Sequence, residues 1–158
     1  MHTRLHSVLR CPLLLAPAAL VLALVVLPTP HAQADAPPCR YTTSADTVLD
    51  RDTGLTWQRS LDASSYTWAE AATYCNNLQL AGQSDWRLPS IQELQTIVDE
   101  SNVDPAIDTT AFPNTLSSVF WSSSPHADDS SSAWYVTFGY GEVHYDFVGA
   151  ADRVRCVR

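Results

Sequence analysis

The sequence predicts one α+β domain in which two helices pack on a small, mostly antiparallel β-sheet. Thr67-Trp68-Ala69-Glu70 and Ser90-Ile91-Gln92-Glu93 both have the capping-box form that opens a helix, and apolar residues at helical spacing follow each. In the last third, Trp134, Val136 and Phe138 alternate with Tyr135 and Thr137. Gly139-Tyr140-Gly141 then turns the chain, and Val143, Tyr145 and Phe147 alternate with Glu142, His144 and Asp146. That period of two is the signature of a hairpin with one buried face.

At the amino end, residues 1–10 carry Arg4 and Arg10 and no acid, and Cys11–Leu27 is almost wholly apolar. Pro28 ends the run, and Ala32-Gln33-Ala34 has the small-x-small form of a signal-peptidase site. This layout predicts a signal peptide over 1–34 and a secreted or periplasmic product. The apolar run is too short for a membrane span, which needs about 20 residues. Residues 35–44 read as a Pro-rich lead-in and 45–158 as the domain.

Beyond residue 34 there are seventeen acids, seven arginines and no lysine, a net charge of −10. A surface that acidic excludes nucleic acid, anionic lipid and sulfated polymers as bulk electrostatic partners. Five Trp, six Tyr and four Phe exclude a disordered chain. Three cysteines remain, Cys39, Cys75 and Cys156. An oxidising compartment favours pairing, and three leaves one over.

The elements follow in order. Thr47–Asp50 and Leu55–Gln58 flank Arg51-Asp52-Thr53-Gly54, a turn that predicts a first β-hairpin. The first helix carries Trp68, Ala71, Ala72, Cys75 and Leu78 on one stripe, with Gly82 placed to end it. The extended link Asp85–Leu88 leads to a second helix whose face is Ile91, Leu94, Ile97 and Val98, and an Asp85–Arg87 pair is expected to order the turn before it. From Asp99 to Ser118 no period holds, and a long loop is expected. Val119-Phe120-Trp121 reads as a buried strand, Ser122–Ser132 as a surface loop, and Val154 and Cys156 as part of a last strand. In the hairpin, Trp134, Val136, Phe138, Val143, Tyr145 and Phe147 are expected to face inward. Tyr135, Thr137, His144 and Asp146 then share the outer face. The five tryptophans are expected to serve the core.

Val48-Leu49-Asp50-Arg51-Asp52-Thr53-Gly54-Leu55-Thr56-Trp57, Trp68 with Tyr74-Cys75, Asp85-Trp86-Arg87-Leu88-Pro89 with Glu93-Leu94, Phe120-Trp121-Ser122-Ser123-Ser124, Ala133-Trp134-Tyr135-Val136 and Val154-Arg155-Cys156-Val157-Arg158 together resemble the Lcl C-terminal domain family. That family, long a domain of unknown function, takes its name from a bacterial collagen-like adhesin. The Trp-Arg-Leu-Pro and Arg-Cys-Val-Arg pieces also resemble the formylglycine-generating sulfatase-modifying enzymes. Their core is a variant of the C-type lectin fold, so the resemblance implies a C-type lectin-like domain. It further implies a disulfide between Cys75 and Cys156, because such domains commonly tie the first helix to the final strand. Cys39 is then a spare thiol, available for an intermolecular bond.

The resemblance implies a secreted, non-catalytic, adhesin-like binding module for a glycan or a surface protein. The adhesin itself is associated with sulfated glycans, which suits neither the net charge nor the missing lysines. With arginines clustered mainly at 153–158, a neutral sugar, a cation-bridged ligand or a protein is the better expectation. The alternatives are a self-associating envelope protein, a homo-oligomer, and an enzyme related to the sulfatase-modifying factors. Against the enzyme, only Cys156 lies beyond the second helix, where those enzymes need a cysteine pair. Ser124, His126 and Asp128 sit in one Ser-rich run with no scaffold for a catalytic triad.

Two candidate sites remain. Tyr135, Tyr140, His144 and Asp146 combine ring faces with hydrogen-bonding groups, the mix that sugars require. Asp104, Asp108, Asp128 and Asp129 are hard oxygen ligands in loops and candidates for calcium, although no Asp-x-Asp-x-Asp-Gly loop, Glu-Pro-Asn or Trp-Asn-Asp motif accompanies them.

Overall fold

The computed structural model describes residues 40–158. The signal peptide expected over 1–34 and the spare thiol Cys39 lie outside the described residues. Three strands, β1 (Tyr41–Thr43), β2 (Thr47–Asp50) and β3 (Thr56–Gln58), form an antiparallel sheet in the order β1-β2-β3. The helices α1 (Trp68–Asn77) and α2 (Ile91–Gln95) follow. A second antiparallel sheet then comprises β4 (Val119–Pro125), β5 (Ser132–Thr137) and β6 (Glu142–Phe147). The layout is α+β, as expected, but with two separate three-stranded sheets in place of the single small sheet. No helix among the described residues is long and apolar enough to cross a membrane.

The hairpin β2–β3 forms as read, with Gly54 at φ +74° and the Asp50 carboxylate accepting bonds from Asp52 N–H and the Thr53 hydroxyl. β1 was hidden in the supposed lead-in, because three residues are too few to show alternation. It is fastened by Arg40, which donates twice to buried Asp50 at 2.9 and 2.8 Å and once to Thr96 O at 2.5 Å.

Both capping boxes close. Glu70 accepts from Thr67 N–H at 3.0 Å, and Glu93 accepts from Ser90 N–H at 2.8 Å while Ser90 Oγ accepts from Glu93 N–H. Gly82 does not terminate α1, which ends at Asn77 with Leu78 as its cap. Ala81 (φ 53°) and Gly82 (φ 74°) instead form a tight two-residue turn between Leu80 and Gln83, whose backbones exchange both hydrogen bonds. α2 stops at Gln95, and Ile97 reaches the core from the turn beyond it. The expected Asp85–Arg87 pair does not form. Although positions two apart share a face of an extended link, Arg87 makes a bidentate pair with Glu93 (2.7 and 2.6 Å) of the following helix, and Asp85 pairs with Arg158 (2.7 Å) of the terminal segment. Hydrogen bonds from Arg87, opposed by partial burial, hold Glu93 down to about 2.

The two helices cover opposite faces of the second sheet. Phe120 and Val136, paired across β4–β5, pack with Ile91 and Leu94 of α2, and with Trp57, Phe112 and Phe138. Trp121 and Tyr135, the next pair, lie on the α1 side, where Trp121 packs with Ala71, Cys75, Trp86 and Cys156. Trp57, Trp86 and Trp121 are buried; Trp68 and Trp134 are only half-buried.

β6 corrects the inward-facing assignment. Tyr145 and Phe147 share a face with Trp134 but are 54% and 59% exposed, because α2 lies over β4 and β5 and does not extend to the edge strand. Ser122–Ser124 belong to β4, not to a surface loop. Ser122 is buried and donates to Trp134 O at 2.6 Å, next to an irregularity between Trp121 and Pro125. The last strand is replaced by single bridges. The terminal segment runs beside β3, the Arg87 link and β4 in turn, with Gln58 N–H donating to Cys156 O, Val157 and Arg87 exchanging bonds, and Trp121 N–H donating to Arg153 O. A disulfide joins Cys75 of α1 to Cys156 of that segment.

Candidate functional site

Three of the four hairpin residues come together. Tyr135 and His144 are direct cross-strand partners with ring centroids 6.1 Å apart, and Asp146 follows on the same face, opposite Ala133. Tyr140 does not join them. It lies in the turn beyond the Thr137–Glu142 pair and is 66% exposed. The turn itself is anchored, since Gly141 at φ +78° would set a Cβ 2.5 Å from Val98 Cγ1.

This face is more acidic than the hairpin pattern alone suggests. Asp152, brought alongside by its backbone bridge to Tyr66, has a buried Oδ2 with no hydrogen-bond partner among the described residues. Burial first, then the charge of Asp146, push its carboxyl up to about 6. Burial and the charges of Asp146, Asp152 and Glu142 likewise raise Tyr135. Glu142 is 3.3 Å from His144 Nε2.

A pH dependence follows. A carboxyl raised on folding contributes stability that is present at low pH and lost as pH rises through its folded value. Asp152 therefore lowers stability between about pH 4 and about pH 6. Asp152→Asn should flatten that part of the thermal-melting profile and stabilise the protein near neutrality, by on the order of 1 kcal/mol after solvent screening. Thermal melts at acidic and neutral pH check this; an unaltered slope in the variant would refute it.

The four candidate calcium ligands are not brought together. Among the described residues no group of three or more His, Cys, Asp or Glu side chains is placed to hold a metal ion. Asp108 instead caps its own loop by accepting from Thr110 and Ala111 N–H groups. Asp129 accepts from the Ser131 and Ser132 hydroxyls, which hold its carboxyl near 2. Short acidic side chains in turns satisfy local backbone before they reach one another.

Sequence reasoning missed a groove of about 610 Å³ along α1. Its aromatic wall is Tyr66 stacked on Tyr74, with centroids 4.8 Å apart and planes at 28°. Both rings are pinned through their hydroxyls. Tyr66 donates to Asp62 at 2.6 Å, and Tyr74 accepts from Gln58 Nε2 at 3.1 Å. Ala69 and Leu78 add apolar surface. The amides of Asn77 and Gln79 also line the groove and make no side-chain hydrogen bond among the described residues. Glu70 is the groove's one ionisable carboxylate, and it is engaged by Thr67. The helical stripe revealed mainly the face of α1 that packs inward; the groove is built on the other flank with residues from outside the helix, Tyr66 before it and Leu78 and Gln79 after it.

A smaller hollow of about 240 Å³ lies beside Arg153. Its guanidinium is spent on the carbonyls of Ala63 and Ser64, so it offers little to an anion.

Among known proteins, the family described as Lcl C-terminal domain matches residues 46–158. No curated protein matches the chain.

Proposed function

This chain belongs to the Lcl C-terminal domain family, and from that premise we propose that it is a secreted, non-catalytic binding module for a neutral glycan, held in the α1 groove. Two helices flanking a small sheet, with a disulfide from the first helix to the terminal segment, support a C-type lectin-like arrangement. Fold does not decide the ligand, so the groove carries the reading. The stacked Tyr66–Tyr74 wall offers a rigid apolar face for the C–H side of a sugar ring, and the Asn77 and Gln79 amides offer donors and acceptors to its hydroxyls. Lined by one carboxylate and no cation, the groove has nothing to hold a sulfated ligand.

Glycan-array screening of the wild type should find binding to neutral sugars that persists in EDTA. Tyr74→Ala should weaken it about tenfold, the loss of one good stacking contact, and Asn77→Ala less. Tyr135→Ala with His144→Ala should leave it intact. If that ribbon pair abolishes binding while Tyr74→Ala does not, the site moves to the β5–β6 face. No binding to any neutral glycan by a folded protein would end the sugar reading. Thermal melts of each variant separate lost contacts from lost fold.

A further inference from the structure

The backbone of β6 is half used. In an antiparallel ladder, residues alternate between exchanging hydrogen bonds with the neighbouring strand and turning their groups away from it. Val148 N–H donates to Ser131 O at 2.9 Å, one step beyond the Ser132–Phe147 pair, which sets the phase. Glu142, His144 and Asp146 therefore bond to β5, and Val143, Tyr145 and Phe147 turn outward. On the far side of the sheet the phase agrees, because Trp121 N–H faces away from β5 and reaches Arg153 O. The terminal segment covers the β4 edge in this way. Among the described residues no strand covers β6, which ends the order β4-β5-β6.

Phe147 has both outward groups engaged. Its N–H donates to Asp146 Oδ1 at 2.6 Å and its carbonyl accepts from Ala150 N–H. Val143 and Tyr145 keep both of theirs unpaired among the described residues. The open edge is thus short, enough for a few residues of incoming chain, and sharply bounded.

Its two faces differ in chemistry. One carries Glu142, His144 and Asp146, with Asp152 close by; the other carries Val143 and the exposed rings of Tyr145 and Phe147, backed by His126 and Trp134 at 4.2 and 5.6 Å from Tyr145. A strand laid beside β6 would set alternate side chains against these two faces. Charge complementarity then dictates its composition: basic residues on the acidic side, apolar or aromatic ones on the other. A second copy of the chain fits poorly. Pairing two β6 strands about His144 would set Glu142 against Asp146 twice, and like charges directly opposite are destabilising; pairing about Tyr145 would need the outward groups of Phe147, which are already engaged.

We propose that the β6 edge binds an extended peptide segment in which arginine or lysine alternates with apolar residues, taken up as a fourth strand of the second sheet. This goes beyond the glycan reading and does not depend on it, since the α1 groove shares no residue with this edge.

The test uses the blocked peptide Arg-Val-Arg-Val-Arg-Tyr-Arg, fluorescently labelled and titrated with the mature protein. Saturable binding is expected. It should weaken about tenfold when alternate peptide nitrogens facing β6 are methylated, the scale of one or two backbone hydrogen bonds. Tyr145→Pro should weaken it comparably, because it removes an outward N–H from a position where an edge strand tolerates proline. Asp146→Asn should weaken it severalfold, with glycan binding unchanged in both variants. Equal binding of methylated and unmethylated peptides would overturn the proposal, leaving only adsorption to an acidic surface. So would the absence of binding, or a concentration-dependent self-association that Tyr145→Pro abolishes.

Discussion

With Cys75 and Cys156 both replaced by alanine, the protein should lose about 4.5 kcal/mol of stability, and its melting temperature should fall by roughly 15–20 °C. The two cysteines are 81 positions apart, so the bridge closes most of the domain into one loop. In the chain-entropy account a loop of that length removes more freedom from the unfolded chain than a short one would. The folded state also depends on the bridge. Both sulfurs are fully buried, packed with Trp86, Trp121 and Ala71, so the tether holds α1 against the terminal segment in the middle of one core cluster. Calorimetry of the double variant, and of the wild type in reductant, checks this. Melting at the wild-type temperature in both would show that the segment's backbone bonds to Thr56, Gln58 and Arg87 suffice without the bridge.

What the sequence revealed and what it hid divide along one line. Features whose cause is local were legible: the Asp50–Gly54 turn, both capping boxes, and the alternation of β5 and β6. Features set by where an element ends up were not. Tyr145 and Phe147 alternate with polar residues as a buried face would, yet α2 is five residues long and cannot reach the edge strand. Gly82 has the residue type of a helix terminator, but the backbone uses its positive φ one turn later. The candidate sites show the same limit. Tyr135, His144 and Asp146 could be placed together because a two-residue period is enough to do so. Tyr66 joins Tyr74 only through the path of the chain into α1, and Asp152 reaches Asp146 only through the course of the terminal segment.

The cluster of arginines at 153–158 is the most instructive case, because as sequence it suggests a basic patch. The structure disperses it. Arg153 caps the Ala63 and Ser64 carbonyls, and Arg158 pairs with Asp85. Arg155 is fully buried. Arg153 and Arg155, two positions apart, would share a face on an isolated strand, but this segment meets a different neighbour at each step. The acidic surface is therefore left uncompensated, which is why its partners are sought among neutral and cationic chemistries.

Arg155→Ala should in turn cost roughly 3–5 kcal/mol, read as a shift in the urea midpoint. The guanidinium has no carboxylate among its hydrogen-bond partners. It donates to Gln58 O at 2.6 Å, Arg59 O at 2.9 Å and Thr115 Oγ1 at 2.7 Å, and it lies 4.8 Å above the Phe112 ring. Burial pulls its pKa down to about 9, so it remains a cation at neutral pH. A buried cation without a counter-ion is costly in itself, and three oxygens and a ring face offset that cost. Truncation to alanine would leave those acceptors unpaired around a cavity, combining two penalties. Arg155→Met separates them. It fills the space and removes the buried charge while still orphaning the acceptors, so it should recover about half of the loss. Were methionine as damaging as alanine, the fork of hydrogen bonds from the terminal segment to β3 and the Thr115 loop would carry the whole effect. Were alanine harmless, Arg155 would not be the pin that joins them.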